Sequence, residues 1–409
     1  MKAYRFPYYR CSAVCLFCFL VLFPLLFSSC EAGDGNTLKR ETLFSLKIGK
    51  MEDDLDLVEH YGVPYTEKTR IVMRNGLFYI GNGNSKKVME FNGYGDILSL
   101  FYSAETNPGP ILLDTDSGSD MVSSRKAYQY PFTDVGEIAV TGSGLLLVEE
   151  RAQEYQISCD EELASSLNTI VLRFSEDGEV LDYLGQEGVG GTPFPYVERI
   201  FVVDNDTIWI ASRGPNRWVL FSFDNHGSLK SRSDIPPQEI PMPDGEGYAE
   251  PGIKGVFPDY TAPLLYVMVD YYRSEGDKGG IDFDQSAICI FNTETATWDS
   301  RIVLPAKRVD EQGGGFLEDD SFVTIYEALG VDRNGNLYFM APESGDDFEL
   351  MIMGRDGSVV DRSTILLEDD QIIYRDFYLS PDGILTALLA KAFGVDIVWW
   401  RSDRITEEE

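Results

Sequence analysis

Histidine is almost absent from this chain: His60 and His226 are the only two in 409 residues. A histidine-built metal centre, or a hydrolytic site needing two imidazoles, therefore has almost no raw material. Basic residues are scarce as well, with 34 Lys and Arg against 68 Asp and Glu for a net charge of −34. That balance excludes a nucleic-acid binder, which needs a basic surface to displace counterions from phosphates. Cysteine is thin: after residue 30 only Cys159 and Cys289 remain, so there is no disulfide framework. Cys289 lies inside the apolar run Ala287–Phe291 and reads as a buried free thiol, with a disulfide to Cys159 the alternative outside the cytoplasm. From Glu41 onward no long 3.6-residue apolar period appears, which excludes a helical bundle. Apolar material is not lacking. Hydrophobic residues make up 44% and aromatics 12%, ample for a packed core and incompatible with intrinsic disorder.

One long uncharged run stands at the start, Cys11 to Ser29, preceded by Lys2, Arg5 and Arg10. A basic region followed by an apolar one is a targeting segment, set aside before any fold reasoning. Its end, Phe27-Ser28-Ser29-Cys30, resembles a bacterial lipoprotein signal, in which small residues precede a cysteine that is lipidated. Phe27 replaces the usual leucine, and Ser29 stands where Gly or Ala is commoner. Spirochaete lipoproteins tolerate such boxes. The resemblance implies a signal peptide over 1–29, lipidation at Cys30 and a tether over 30–40. An uncleaved signal anchor is the alternative, and under either reading the positive flank keeps the rest of the chain outside the cytoplasm. Cleavage removes three positive charges and no acid, taking the net charge from −34 to −37. Attachment would then rest on the lipid and not on attraction to anionic headgroups.

The body, 41–409, consists of short runs rich in β-branched and aromatic residues between Gly, Asn and Asp turns, the pattern of an all-β protein. Two elements recur. One is a turn followed by a very apolar strand, as in Asn75-Gly76-Leu77-Phe78-Tyr79-Ile80 and Asn205-Asp206-Thr207-Ile208-Trp209-Ile210. The other places Gly four residues after an apolar marker, as in Phe91/Gly95, Phe174/Gly178, Phe223/Gly227 and Met353/Gly357. From strand start to marker the distances are 14 (Leu77–Phe91), 15 (Ile208–Phe223), 16 (Leu337–Met353) and 16 (Ile384–Trp400). Leu145–Phe174 spans 29 and fits the same unit with a polar insertion. A weaker unit runs from Leu265 to Phe291, its turn having lost the Gly. Six such units describe a single six-bladed β-propeller over 41–409. The last unit lacks an outer strand and Leu43–Ile48 lacks a partner, so the N-terminal strand is expected to pair with the C-terminal blade and close the ring.

The stretch from Gly185 to Asp204 followed by Thr207-Ile208-Trp209-Ile210-Ala211 resembles NHL-type repeats. Together with the N-terminal signal, the architecture is similar to poorly characterised propeller lipoproteins of spirochaetes and Bacteroidetes. These are fold motifs, and a fold does not specify a function.

Candidate chemistry is sparse. Asp114, Asp116 and Asp120 alternate around Gly118 and would suit a weak calcium site; no other cofactor is implied. Ten residues before the apolar strand stand Glu67, Glu198 and Glu327, with Arg199 and Arg375 one place later in their units. Equivalent positions in a propeller lie around one ring, so these side chains would converge near the channel mouth. Six-bladed lactonase-type propellers hold a divalent cation there with carboxylates and an Asn, although no residue-by-residue match exists here. No Gly-x-Ser-x-Gly elbow or histidine-paired nucleophile is visible. The expectation is therefore a membrane-tethered binding module at the cell envelope and not an enzyme. Its ligand would be a protein or envelope component, met by the channel-mouth loops and insertions at 103–131, 152–167 and 273–286. A divalent-metal-dependent lactonase or esterase is the first alternative, and a structural or assembly factor the second.

Overall fold

The apolar markers spaced along the chain are cross-strand partners. Phe78 faces Phe91, Leu146 faces Phe174 and Ile208 faces Phe223. Leu265 faces Phe291, Leu337 faces Met353 and Leu385 faces Trp400. All twelve side chains are buried. Each pair marks one antiparallel sheet, and the computed structural model that provides this register describes residues 37–57, 67–113, 125–162, 164–274, 280–310, 321–343, 347–367 and 371–407.

Six sheets form six blades, all within the unit Leu38–Glu409. Blade one runs from Thr69–Arg74 through Leu77–Asn82 and Lys87–Phe91 to Ile97–Tyr102, with Lys126–Gln129 added in parallel. Blade two is Ile138–Val140, Leu146–Arg151, Thr169–Phe174, Val180–Gly185 and the short Gly188–Val189. Blade three is Tyr196–Val203, Thr207–Arg213, Trp218–Phe223 and Leu229–Ile235. Blade four is Gly252–Pro258, Leu264–Ser274, Ile281–Asn292 and Thr297–Val303. Blade five begins with Glu327–Val331 and continues through Leu337–Pro342, Phe348–Met353 and Val359–Ile365. Blade six has Tyr374–Leu379, Leu385–Lys391 and Gly394–Trp400, and its outer strand is Arg40–Lys47, paired from Arg40↔Trp400 to Lys47↔Gly394.

Blades pack face to face because each strand alternates its apolar residues between two neighbours. In blade one, Ile80 and Met89 face blade six while Val88 and Phe101 face blade two. The described core accordingly falls into six clusters, each shared by two consecutive blades and the last by blades six and one. Trp209, Trp218 and Trp400 are buried in these seams. Fully burying one large apolar side chain is worth about 1.5–3 kcal/mol, so each seam holds its blades firmly.

The hairpin Gly residues 95, 178, 227 and 357 all adopt φ between +80° and +85°, the left-handed conformation their turns require. Blade four, which has no Gly in that turn, places Ala296 at φ +53° instead. The insertions extend existing strands or add edges. That of 273–286 prolongs the two central strands of blade four, and that of 152–167 forms a hairpin of Ser158–Asp160 with Ser165–Leu167. Cys289 is buried and Cys159 exposed, and both thiols are free. His226 lies exposed in its turn, where its carbonyl accepts from Arg173 Nη2 at 3.0 Å.

Candidate functional site at the channel

The first strand of every blade contributes to one central cavity of about 60 Å³. Ile71, Ile138, Ile200, Phe257, Leu329 and Leu379 represent the six blades in its wall. Its charged lining is Arg70, Arg74, Glu137, Arg199 and Asp376, with Tyr260 and Tyr378 beside them.

Arg70 organises one end. Its Nε lies 2.7 Å from Glu137 Oε1 and its Nη1 3.5 Å from Asp376 Oδ1, so one guanidinium links blades one, two and six. Asp376 Oδ2 accepts from the backbone N–H of Ile71 at 2.8 Å. Lys68 stands behind, 2.8 Å from Glu149 and 3.4 Å from Glu137, and donates to Val197 O at 2.7 Å. Tyr374 OH donates to Thr69 O at 2.5 Å.

The two channel carboxyls are tuned in opposite directions. Burial works against ionisation of Glu137, but Arg70, Lys68 and Arg199 outweigh it and hold its pKa below the ordinary value. At Asp376 burial wins: despite Arg70, the Ile71 N–H and Arg199, its pKa is pushed up to about 6. Carboxyls perturbed in this way occur in proton-transfer sites and in structural ion-pair networks alike.

Arg199 reaches the cavity through a β-bulge. Tyr196–Val203 slips register between Val197 and Arg199, so Glu198 has no opposite number. Glu198 pairs with Arg213 at 3.5 Å, away from the cavity lining, while Arg199 lines it. Arg199 donates no hydrogen bond and makes no ion pair among the described residues, although Glu137 and Asp376 feel its charge. At the opposite end Arg333 straps blades three, five and six together, 3.2 Å from Asp204 and 3.0 Å from Asp382.

Of the residues singled out from sequence, the structure brings only Arg199 to this cavity. Glu67 is exposed in a groove beside Lys68 and Glu149, and Glu327 is exposed in another beside Lys254 and Tyr326. Arg375 lies over the Phe348 ring, 4.6 Å from its centroid. The charged ring position sits one residue further along. Nine residues before the buried cross-strand marker stand Glu137 (from Leu146), Arg199 (from Ile208) and Asp376 (from Leu385). Asp114, Asp116, Asp120, His60 and Cys30 lie outside the described residues.

The donor set does not suit a divalent ion of the lactonase kind. Glu137 and Asp376 are both engaged by Arg70, and among the described residues no three His, Cys, Asp or Glu are grouped to hold a metal.

No family model and no curated protein matches the chain. Solved structures do. A gluconolactonase of Xanthomonas campestris is 12% identical with a TM-score of 0.39, the match covering 91% of this chain and 99% of that one. The polysaccharide lyase Uly1 is 8% identical with a TM-score of 0.41, over 89% and 99% respectively. The Dos1 propeller is 9% identical with a TM-score of 0.36, over 87% and 69%. The expectation of a chain that is not an enzyme is corrected here. The solved propellers that this chain resembles include a gluconolactonase and a polysaccharide lyase. At such identities the likeness assigns neither chain's substrate to this one.

Proposed function

We propose that this chain is an exported propeller, lipid-tethered through Cys30, that hydrolyses a small ester or lactone at its channel without a metal held by the channel carboxylates. The observation that carries this reading is the meeting, in one cavity, of the largely buried Asp376 carboxyl with the Arg199 guanidinium, which is unengaged among the described residues. Asp376 takes a proton from a water as its oxygen adds to the carbonyl carbon. Arg199 neutralises the charge that builds on the carbonyl oxygen. The C–O bond to the leaving alcohol then breaks, and the proton passes from Asp376 to that oxygen. Arg70, already bonded to Glu137 and Asp376, positions the carboxyl and does not touch the substrate.

The test is a panel of lactones and aryl esters with the mature protein, followed across pH. As a base, Asp376 must be ionised, so turnover is expected to rise as pH passes through about 6 and then level off. Asp376→Asn is expected to lose at least a hundredfold, as general-base catalysis is worth roughly 10²–10⁴. Undiminished turnover in Asp376→Asn, or no turnover of any lactone or ester, would defeat the proposal.

A further inference from the structure

The cavity wall offers donors that nothing among the described residues accepts. Arg199 and Arg74 make no hydrogen bond or ion pair among the described residues, and the hydroxyls of Tyr260 and Tyr378 donate to none of them. All four side chains line the same space and come from blades one, three, four and six. They sit close enough to influence one another, since the Tyr378 hydroxyl feels both Arg74 and Arg199, and Tyr260 feels Tyr378 and Arg74. Burial keeps both phenols protonated, that of Tyr378 with a pKa of about 12, so both remain donors at any physiological pH.

Charge points the same way. The wall carries three guanidiniums, of Arg70, Arg74 and Arg199, against the two carboxyls of Glu137 and Asp376. One positive charge is in excess when Asp376 is ionised. This surplus lies inside a protein whose net charge is −34, where the overall field would repel an anion. Desolvating unpaired donors costs stability unless an acceptor arrives to meet them. A cavity of about 60 Å³ admits only the head of a ligand.

We infer that the channel is a receptor for the carboxylate of a small monoanion, held by Arg199 and Arg74 with Tyr260 and Tyr378 donating to its oxygens. A carboxylate is planar and presents two acceptor oxygens to a guanidinium fork, which fits the wall better than a bulkier dianion. Arg333 is not part of this set, because Asp204 and Asp382 already engage it. The inference rests on the hydrolase reading in taking this cavity as the reaction site, and it names what the cavity retains: the carboxylate product, whose carboxyl carbon is the former ester carbonyl that Arg199 faces.

Thermal unfolding and titration calorimetry with sodium acetate provide the test, with acetamide and with sodium chloride at matched ionic strength as controls. Acetate is expected to raise the midpoint with concentration, as a ligand of the native state does, while acetamide and chloride leave it unchanged. Arg199→Gln is expected to weaken acetate roughly 10- to 100-fold, the usual loss for a charged hydrogen-bonded pair. Tyr378→Phe, which keeps the ring and removes one oxygen, is expected to weaken it several-fold and serves if the arginine variant does not fold. An equal response to acetate and acetamide, or to acetate and chloride, overturns the inference, as does undiminished acetate binding in Tyr378→Phe. Acetate binding without turnover of any ester would sink the hydrolase and leave the receptor standing. Turnover of neutral esters without acetate binding would do the reverse.

Discussion

Replacing Asp376 with Asn should make the protein more stable at neutral pH while abolishing the proposed hydrolysis. The carboxyl has a folded pKa of about 6 against an ordinary value of 3.8, a difference worth about 3 kcal/mol. The folded state holds the proton more tightly, so between these values it binds more protons than the unfolded state and stability falls as pH rises. The cost is absent below 3.8 and complete above 6. Asparagine bears no charge at any pH, its side-chain oxygen can still accept from Ile71 N–H, and Arg70 keeps Glu137 at 2.7 Å. Contacts altered by the substitution contribute equally at both ends of the range and cancel in the comparison. The stability of Asp376→Asn relative to wild type should therefore be greater at pH 7.5 than at pH 4 by about 2.4 kcal/mol. Reversible urea unfolding, followed by the fluorescence of the buried Trp209, Trp218 and Trp400, measures it. A difference that is flat or falls with pH would refute the reasoning, because it would mean that Arg70 and Arg199 overcome the burial of the charge.

Two further predictions concern the scaffold. Ala296→Gly should stabilise the protein by about 1 kcal/mol, relief of the left-handed φ less the added freedom of the unfolded chain, and equilibrium denaturation would read it. Lys87 is fully buried, donates to Met51 O at 2.6 Å and has its pKa lowered to about 8 by burial, against the pull of Asp54, Asp53, Asp56 and Glu52. Its unfolded form holds the proton up to about 10.5, so the cost of the buried charge is complete below pH 8 and relieved between 8 and 10.5. The stability of Lys87→Met relative to wild type should accordingly fall by about 3 kcal/mol from pH 7 to pH 10.5, and an unchanged difference in urea midpoints would count against it.

The blade plan is legible in the sequence because its signal is local: a turn, a strand, and an apolar partner 13 to 16 residues on in the compact blades, such as Phe78–Phe91 and Leu337–Met353. The ring of side chains at the channel is harder to read, and the apolar pattern misses it by one position. The apolar runs begin at Leu77, Leu145 and Ile384, whereas the residues paired across the hairpin are Phe78, Leu146 and Leu385. Side chains alternate along a strand, so a shift of one exchanges channel-facing residues for those facing away. Counting from the start of the run therefore selects Arg375 and passes over Asp376. Arg199 is found nonetheless, because in blade three the count starts from Ile208, which is itself the residue paired with Phe223. Tyr260 and Tyr378 give no signal at all, since a tyrosine lining the channel reads the same in sequence as one packed between blades.

The pairing of Arg40–Lys47 with Gly394–Trp400 joins segments about 350 residues apart. The ribosome makes the first of these strands long before the second exists. Until residue 400 has been synthesised, Arg40–Lys47 has no ladder to join, and a nearly complete ring carries two raw edges. Loop closure over such a span comes late and slowly. A growing chain of this kind is most exposed to sticking to its neighbours in the interval before Gly394–Trp400 becomes available to pair.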